Sequence, residues 1–292
     1  MNRRRFIKGL LATTLAGLLV AAYGFFIEPS LRLRVRKWRV RRKDWTAQPL
    51  RIAVLSDLHV GEPYVGLDRV RQVVRRTNAL APDLVLLLGD YAGHYEGITA
   101  KVEAEDLAPV LGQLEARSGV YAVLGNHDWW DDEDAQRRGG GPNKFATAFQ
   151  GQGIKVLSNE AMRLDDLGIW LAGLEDQLAF RRNGKLVGLD DLPGTMAQVT
   201  DDAPVVMMAH EPDIFPDIPE NVALTLSGHT HGGQVRLFGW SPVVPSKYGN
   251  RYAYGHVHED GRDLVVSGGI GCSILPVRFG VTPEITVIEL SA

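Results

Sequence analysis

The sequence predicts an α/β fold in which two mixed sheets pack face to face with helices outside, a four-layer αββα sandwich. Two observations predict this fold. In the first half of the chain, continuous apolar runs alternate with amphipathic helical segments, as in sheets that are covered on both faces. In the second half, strand-like runs predominate and indicate a second sheet. The 292 residues, 45% of them hydrophobic, are enough for one large domain with a full core.

The first half of the chain predicts a βαβαβ unit. Residues 52–55 are continuously apolar, which predicts a buried strand over Arg51–Ser56. A helix over Leu67–Leu80 follows and is ended by Pro82. The same alternation continues with a strand at Leu84–Leu88, a helix at Glu105–Ala116 and a strand at Val120–Leu124. This order predicts a mostly parallel sheet that binds ligands at the carboxyl ends of its strands.

The second half of the chain predicts a further set of strands. Each is a short apolar run bounded by polar or turn-forming residues. The predicted strands are Ile154–Leu157, Ile169–Leu174, Val205–Ala209, Ala223–Leu226, Gln234–Leu237, Leu264–Ser267 and Ile285–Leu290. We therefore expect a single domain over residues 51–292.

Residues 1–30 predict a membrane anchor with an export signal. Arg3-Arg4-Arg5-Phe6-Ile7-Lys8 fits the twin-arginine pattern R-R-x-F-x-K. The uncharged run 9–27 that follows is close to the ~20 apolar residues that span a bilayer. It has no A-x-A cleavage site, so we expect an uncleaved anchor. The twin-arginine export machinery would then be a partner, and the domain over residues 51–292 would lie on the external, periplasmic side of the cytoplasmic membrane.

Residues 31–50 predict a basic strand and a linker. Arg32, Arg34 and Arg36 alternate with apolar residues, as a half-buried strand would. This basic run follows the apolar segment, and the positive-inside tendency would keep it cytoplasmic. We favour export because the twin-arginine match is the more specific signal. Cations beside a membrane can also bind anionic lipid head groups, and a solvated strand face is an equally good interpretation.

The charge distribution excludes one class of function. The net charge is -3, but the first 43 residues hold 12 Lys and Arg and one acid, so the remainder of the chain is strongly acidic. Nucleic-acid binding requires a cationic surface, so we do not expect a nucleic-acid partner. The single cysteine, Cys272, excludes an intrachain disulfide.

Five short motifs carry the chemistry, and each follows an apolar strand-like run. They are Asp57-Leu58-His59, Gly89-Asp90, Gly125-Asn126-His127-Asp128, Met208-Ala209-His210 and Gly228-His229-Thr230-His231. Their carboxylate, amide and imidazole groups suit Zn, Mn and Fe, and suit Mg less well. Two divalent ions ~3.5–4 Å apart stabilise in-line displacement at phosphorus. Such a pair needs a shared carboxylate, and we predict that Asp90 is the bridge.

The motif order resembles the calcineurin-like metallophosphoesterases over residues 51 to about 232. The C-terminal segments 232–235, 269–271, 276–278 and 283–285 are similar to the membrane-associated bacterial branch of phosphodiesterases and UDP-2,3-diacylglucosamine pyrophosphatases. The resemblance implies the four-layer sandwich of that family. It also implies Asp57, His59, Asp90 and His231 on one metal, with Asp90, Asn126, His210 and His229 on the other.

The resemblance further implies that His127 lies over the phosphate as general acid or charge stabiliser. Asp128 could orient a histidine, or could be a helix-capping residue instead. Arg278 could bind a substrate phosphate, or could form a surface ion pair. Trp130 and Trp129 could form an apolar lip or pack beneath their loop. His94 matches no motif, and we expect no role for it.

We therefore predict a dinuclear-metal-dependent phosphoesterase, most specifically a phosphodiesterase. The leading named substrate is a UDP-2,3-diacylglucosamine-like glycolipid precursor, a pyrophosphate ester. That substrate is made in the cytoplasm, so an external membrane- or envelope-linked phosphodiester fits export better. The alternatives are a phosphomonoesterase and a non-catalytic scaffold on the same fold, although such scaffolds usually lose ligands that this chain keeps.

Overall fold

The computed structural model describes residues 3–292, so Met1 and Asn2 of the predicted anchor lie outside the described residues. The helices are α1 Arg3–Ala22, α2 Glu28–Leu31, α3 Leu67–Asn78, α4 Ala104–Leu111, α5 Asn126–Trp130, α6 Glu133–Arg138, α7 Lys144–Gln150 and α8 Leu192–Met196. A π-helical turn, Tyr23–Ile27, joins α1 to α2, and 3-10 turns lie at Pro212–Asp217, His231–Gly233 and Gly249–Tyr252.

The strands form two large sheets and three short pairs. In chain order they are β1 Arg34–Arg41, β2 Leu50–Leu55, β3 Gly61–Glu62, β4 Leu84–Leu88, β5 His94–Tyr95, β6 Ala100–Lys101, β7 Val120–Val123, β8 Lys155–Val156, β9 Glu160–Leu164, β10 Ile169–Gly173, β11 Phe180–Arg182, β12 Lys185–Val187, β13 Val205–Met208, β14 Val222–Ser227, β15 Gly255–Glu259, β16 Arg262–Val266, β17 Ser273–Ile274 and β18 Glu284–Ser291.

Both large sheets have six strands and mix parallel with antiparallel pairs. The first has the order β1-β18-β2-β4-β7-β8, and the second has the order β15-β16-β14-β13-β10-β9. In the first sheet β2, β4, β7 and β8 run parallel, and β18 is antiparallel to β2. In the second sheet β10, β13, β14 and β16 run parallel.

Side chains that alternate along the strands separate the core into three layers. Ile52 and Val54 of β2 face the second sheet and pack with residues such as Met208. Ala53 and Leu55 point the other way, against the helices that cover the first sheet. A third cluster covers the outer face of the second sheet. The predicted sandwich of two mixed sheets between helical layers is therefore confirmed.

The helical segment at the N-terminus stands away from the domain along most of its length. Residues 3–31 form one helical stretch, long and apolar enough to cross a membrane. α1 has no buried residue. Only its last part is in contact with the domain, where Gly24 and Glu28 become buried. The same properties suit a signal sequence or an anchor.

The basic segment after this helix is part of the first sheet. β1 pairs in parallel with β18 along its whole length. Several of its cations have partners inside the protein: Arg34 forms a 2.9 Å ion pair with Glu284, and Arg42 forms one of the same length with Asp263. These two basic residues therefore stabilise the fold through ion pairs, and lipid binding by this segment would depend on its exposed basic residues.

One predicted strand is wrong. Residues 234–237 form no strand, because the 3-10 turn at His231–Gly233 precedes them and they make only isolated bridges, such as that between Val235 and Phe279. The two predicted long helices also end early, at Asn78 and Leu111 instead of Leu80 and Ala116. The antiparallel edge strands β9 and β15 were not predicted, because most of their residues are half-buried or exposed and neither has the continuous apolar run of a buried strand.

Candidate metal centre

The predicted site residues lie directly after strands of both sheets. Because the carboxyl ends of these parallel strands lie at the same edge of the sandwich, their side chains can converge. The residues follow β2 (Asp57 and His59), β4 (Asp90), β7 (Asn126, His127 and Asp128), β13 (His210) and β14 (His229 and His231). Except for the half-buried His229, all of them are buried.

The backbone is strained where these side chains project. Non-glycine residues rarely adopt positive φ, and when they do they often belong to functional sites. Five of the predicted ligands have φ between +41° and +66°: Asp57, His59, Asp90, His229 and His231. This left-handed conformation turns each loop immediately after its strand, which brings the side chain into the space between the strand ends.

The first cluster contains Asp57, His59, Asp90 and His231, whose ligand atoms all lie within 4.8 Å of one another. His59 Nε2 lies 3.1 Å from His231 Nε2 and 3.4 Å from Asp90 Oδ2. Asp57 Oδ1 lies 3.6 Å from His231 Nε2. These are the four residues that the family resemblance implies for one metal.

The second cluster shares Asp90 with the first. Asp90, His210 and His229 again hold their ligand atoms within 4.8 Å of one another. The side-chain oxygen of Asn126 lies 3.1 Å from His229 Nδ1, so the amide joins this group. Asp90 therefore occupies the position between the clusters that the sequence predicted for a bridging carboxylate.

The donor set fits two divalent cations. His210 Nε2 is buried without a hydrogen-bond partner, although Asp90 Oδ2 is only 3.2 Å away. His59 Nδ1 lies 2.9 Å from the Ala92 carbonyl, and His210 Nδ1 lies 2.6 Å from the Leu88 carbonyl. Each ring thus donates from Nδ1 to a fixed acceptor and presents Nε2 to the cluster, as metal-binding histidines do.

Burial and neighbouring charges shift the pKa values of the carboxylates and imidazoles in the two clusters. Burial lowers the pKa of His59 and His231. Burial raises the pKa of Asp57. Burial acts in the same direction on Asp90, but the neighbouring His210 and His127 outweigh it and hold the Asp90 pKa well below its usual range. Burial also lowers the pKa of His210, but Asp90 outweighs it and raises the His210 pKa well above its usual value. Metal binding requires the neutral imidazole, so a bound cation would displace this proton.

His127 lies above the first cluster and faces outward. Its ring centroid is 4.9 Å from that of His59, and its backbone N–H donates to Asp90 at 2.9 Å. Nδ1 is buried without a hydrogen-bond partner, and Nε2 lies 3.4 Å from the Ser273 hydroxyl. Burial, opposed by Asp90 and assisted by the surrounding imidazoles, holds the pKa of His127 well below its usual value.

Asp128 joins the loops that follow β4 and β7. Its carboxylate accepts backbone N–H bonds of 2.7 to 3.0 Å from Asp90, Tyr91, Ala92 and Gly125. The bond to Gly125 is a helix-capping bond at the start of α5. Asp128 therefore fixes the backbone that carries Asp90, and within residues 3–292 its carboxylate forms no hydrogen bond with a histidine.

Arg278 is fully buried, so the predicted surface ion pair is wrong. Its guanidinium donates to the carbonyls of Gly271, Gly268 and Val281, and Nη2 lies 3.2 Å from His231 Nδ1. It supports the loop behind His231 and does not line the pocket beside His127. The sequence does not predict that this C-terminal segment lies behind His231, because its position depends on the fold.

A pocket of about 240 Å³ opens beside His127. Its lining includes His94, Trp130 and Arg181, and Arg181 lies over the Trp130 ring at 3.9 Å. The His94 and His127 rings are 4.4 Å apart. The expectation of no role for His94 therefore misses a residue beside the site. No sequence motif marks His94 or Arg181, because the contact depends on how three loops fold together.

The two tryptophans of α5 have different environments. Trp129 is buried and its Nε1 donates to Glu175 at 3.1 Å, so it packs beneath the loop. Trp130 is only partly buried, donates to the Leu178 carbonyl, and lines the pocket. Each of the two interpretations from the sequence thus describes one of them.

A third group that the sequence did not predict lies behind His210. Asp176, His210 and Glu211 hold ligand atoms within 4.8 Å of one another. Burial and the nearby Glu211 raise the pKa of Asp176 well above its usual value. Both acids are buried, and one carboxylate oxygen of each has no hydrogen-bond partner among the described residues.

The sequence is also similar to those of known proteins. Residues 50–260 match the sequence model of the calcineurin-like phosphoesterase family. This stretch covers most of the chain and contains all the residues of both clusters. The chain belongs to the calcineurin-like phosphoesterase family.

Its relatives include bacterial and animal proteins. YkuE of Bacillus subtilis, an uncharacterized metallophosphoesterase, is 29% identical over 100% of this chain and 98% of its own length. The phosphodiesterase YaeI of Escherichia coli is 28% identical over 99% of both chains. A bovine transmembrane protein with a metallophosphoesterase domain is 30% identical over 87% of this chain and 55% of its own length. The chain therefore spans only about half of that animal relative.

Family and geometry together establish the class of chemistry. The chain is a metallophosphoesterase with buried carboxylate and imidazole clusters that suit a dinuclear metal site. A metal-dependent phosphoester hydrolase is the activity that this arrangement supports, with a phosphoester as the substrate.

Proposed function

We propose that this protein is a phosphodiesterase that uses two divalent ions to hydrolyse a membrane- or envelope-associated phosphodiester or pyrophosphate. The observation that carries the proposal is the shared position of Asp90 between two clusters of buried ligands. The proposed ligands are Asp57, His59, Asp90 and His231 for one ion, and Asp90, Asn126, His210 and His229 for the other. Mn, Zn or Fe suits this donor set best.

The bound ions would supply charge neutralisation at the phosphate and an activated water. The chain's own residues supply the other contributions to catalysis. His127 lies at the open side of the first cluster, and its lowered pKa favours the neutral ring. We assign its N–H to the leaving oxygen, where it stabilises developing negative charge. Asp128 maintains the loop geometry that places both Asp90 and His127.

The pocket beside His127 supports a diester over a monoester. A diester carries a second organic group, which needs a place next to the metal centre. The cavity of about 240 Å³ provides that place, and the Arg181 guanidinium on Trp130 suits an anionic or aromatic leaving group. YaeI, the Escherichia coli relative, is a phosphodiesterase by name. A UDP-2,3-diacylglucosamine-like pyrophosphate is the leading named candidate by resemblance if the catalytic domain is cytoplasmic, and an envelope-linked phosphodiester fits an external domain better.

The proposed location is the cytoplasmic membrane, with the catalytic domain on the external side after twin-arginine export. The apolar helical segment 3–31 and the Arg3–Lys8 motif support this location. A reporter fused to the C-terminus tests it, because periplasmic and cytoplasmic reporters are active on opposite sides. Activity of the cytoplasmic reporter would refute export and favour the cytoplasmic glycolipid substrate.

The activity test uses the full chain in detergent, loaded in turn with Mn, Zn, Fe or Mg. We expect faster hydrolysis of bis(p-nitrophenyl) phosphate than of p-nitrophenyl phosphate, and loss of both activities after chelation. The variant Asp90→Asn should lose metal and activity together, whereas Asp134→Asn on exposed α6 should lose neither. Preference for the monoester would favour a phosphomonoesterase. Two bound ions without turnover of either ester would favour a scaffold.

A further inference from the structure

Large apolar side chains are exposed on two loops next to the catalytic mouth. Within residues 32–292, six of the eight large apolar residues that are exposed lie on these loops. Phe238 and Ile274 at the loop tips are 108% and 67% exposed. We call the six residues the apolar rim: Leu237, Phe238, Trp240, Val243, Ile274 and Leu275. Such a concentration on a soluble surface is unfavourable unless something covers it.

The two loops of the apolar rim are fixed to each other. The Gln234 side chain accepts from the Ser273 backbone N–H at 2.7 Å and donates to the Ser273 carbonyl at 3.1 Å. Leu237 and Trp240 close the first loop with a pair of backbone hydrogen bonds. The exposed apolar side chains are therefore presented on a defined turn and are not part of a loose segment.

The base of the apolar N-terminal helix is attached to the same region. The Gly24 carbonyl accepts from the Arg278 backbone N–H at 2.9 Å, and the Tyr23 and Phe279 rings are 6.0 Å apart. The buried Glu28 carboxylate accepts from the Gly280 N–H and the Thr282 hydroxyl at 3.1 and 2.9 Å. A helix able to cross a membrane thus leaves the domain beside the apolar rim.

The apolar rim is also connected to the catalytic mouth. Ser273, directly before Ile274, lies 3.4 Å from His127 Nε2 through its hydroxyl. Ser273 and Ile274 pair with His94 and Tyr95. The exposed apolar side chains therefore begin one residue away from the group that we place over the substrate phosphate.

We propose that the apolar rim inserts into the surface of the bilayer that holds the N-terminal helix, so that the catalytic mouth takes lipid phosphoesters directly from that bilayer. Aromatic and aliphatic side chains on a fixed turn bind at the boundary between head groups and acyl chains. The exposed Arg32, at the end of the helical segment, lies where it can contact anionic head groups. The lipid substrate class rests on the proposed phosphodiesterase function; insertion of the rim does not.

Insertion is tested with the full chain in vesicles of phosphatidylethanolamine and phosphatidylglycerol. Cys272 is buried, so a dye will label a new surface cysteine selectively. We expect nitroxide-labelled lipids to quench a dye at Phe238→Cys, and to leave a dye at the exposed Glu220→Cys unquenched. Equal quenching at both positions would overturn the proposal. Shielding of the dye at position 238 without lipid quenching, together with dimer formation, would overturn it in favour of a second copy of the chain.

The link to catalysis is tested with two diesters. One is soluble bis(p-nitrophenyl) phosphate, and the other is hexadecyl p-nitrophenyl phosphate embedded in vesicles. For the double variant Phe238→Ser with Trp240→Ser, we expect the ratio of vesicle to soluble turnover to fall about tenfold, because burial of large apolar side chains is lost. An unchanged ratio would overturn substrate uptake from the bilayer. Failure of the parent protein on both diesters would refute the proposed function, while the quenching experiment would still decide insertion.

Discussion

At the scale of the residue, the site depends on backbone conformations and side-chain environments that are energetically unfavourable on their own. Five predicted ligands have left-handed backbone conformations, and His210 Nε2 is a buried nitrogen without a hydrogen-bond partner. Each feature costs free energy, and bound cations can offset part of that cost. These unfavourable features all lie at one edge of the sandwich, which indicates a metal centre there.

His127 should be needed for turnover and not for metal binding. It lies outside both clusters and contacts Asp90 only through its backbone N–H. For His127→Ala we expect two ions per chain by elemental analysis and a loss of diesterase activity of about 10²–10⁴-fold, as for removal of a positioned acid or donor. His258→Ala, which removes an imidazole far from the site, is the control. Wild-type turnover by His127→Ala would contradict the role.

At the scale of the element, short loops after the strands decide the geometry of the site. The loops after β4 and β7 carry Asp90 and His127, and both are tied to one carboxylate, that of Asp128. Four N–H donors converge on this buried group. A second element, β1, attaches the N-terminal segment to the domain through its pairing with β18, and Arg42, directly after β1, adds an ion pair with Asp263.

Replacement of Asp128 should therefore destabilise the fold and distort the site. In Asp128→Asn, the amide NH2 would face backbone N–H donors and leave some of them unsatisfied. We expect a loss of about 1–3 kcal/mol in the free energy of unfolding, measured by urea denaturation, with reduced activity. Asp132→Asn is the matched control, because an asparagine oxygen can still accept the capping bond from the Ala135 N–H at the start of α6. A loss no larger than that of the control would contradict the proposed role.

The attachment of β1 should weaken in acid. The buried Asp263 accepts from Arg42 at 2.9 Å and contacts His256 and His258. Burial raises the pKa of Asp263, but the two histidines and Arg42 outweigh it, so the pKa is lowered. An acid with a lowered folded pKa contributes stability above its unfolded pKa of about 3.9, and loses it as the pH falls through the folded pKa.

We therefore expect Asp263→Asn to reduce the stability of metal-free protein at pH 7, and the difference from the parent protein to shrink below about pH 4. Urea unfolding at several pH values measures this difference. The exposed, ion-paired Asp68→Asn serves for comparison and should show little effect at any pH. A difference that grows in acid would have the wrong sign for this ion pair.

At the scale of the whole molecule, metal binding should be linked to folding, because the ligands come from both sheets. Asp57 and Asp90 follow strands of the first sheet, whereas His210 and His231 follow strands of the second. Cations that bridge these residues join the two halves of the sandwich, and the unfolded chain cannot provide the same ligand set.

Chelation should accordingly lower the melting temperature. At a free metal concentration of 100 times the dissociation constant, bound metal stabilises the fold by about 2.7 kcal/mol for each site. We expect a rise in melting temperature on titration with Mn or Zn, and little rise for Asp90→Asn. Calorimetry measures both. An equal rise for the two proteins would place the stabilising ions elsewhere.

The sequence by itself identified the candidate ligands, because each directly follows an apolar run and strand ends are local features. Asp57, Asp90 and His210 could therefore be proposed as ligands from motif order, and their role in metal binding stays a prediction. The prediction extended to the sandwich, since continuous apolar runs require sheets covered on both faces. The prediction failed at residues 234–237. Their alternating polar and apolar residues resemble a strand, but they follow the turn at His231–Gly233 and form no strand.

Only the tertiary structure decided what surrounds the metal centre. The burial of Arg278 behind His231, the place of His94 beside His127, and the attachment of Glu28 to Thr282 all join segments that are far apart in sequence. Glu28 and Thr282, for example, are separated by 254 positions. No periodicity or spacing in a sequence encodes such contacts, because they depend on how loops from separate strands pack at one edge of the folded sandwich.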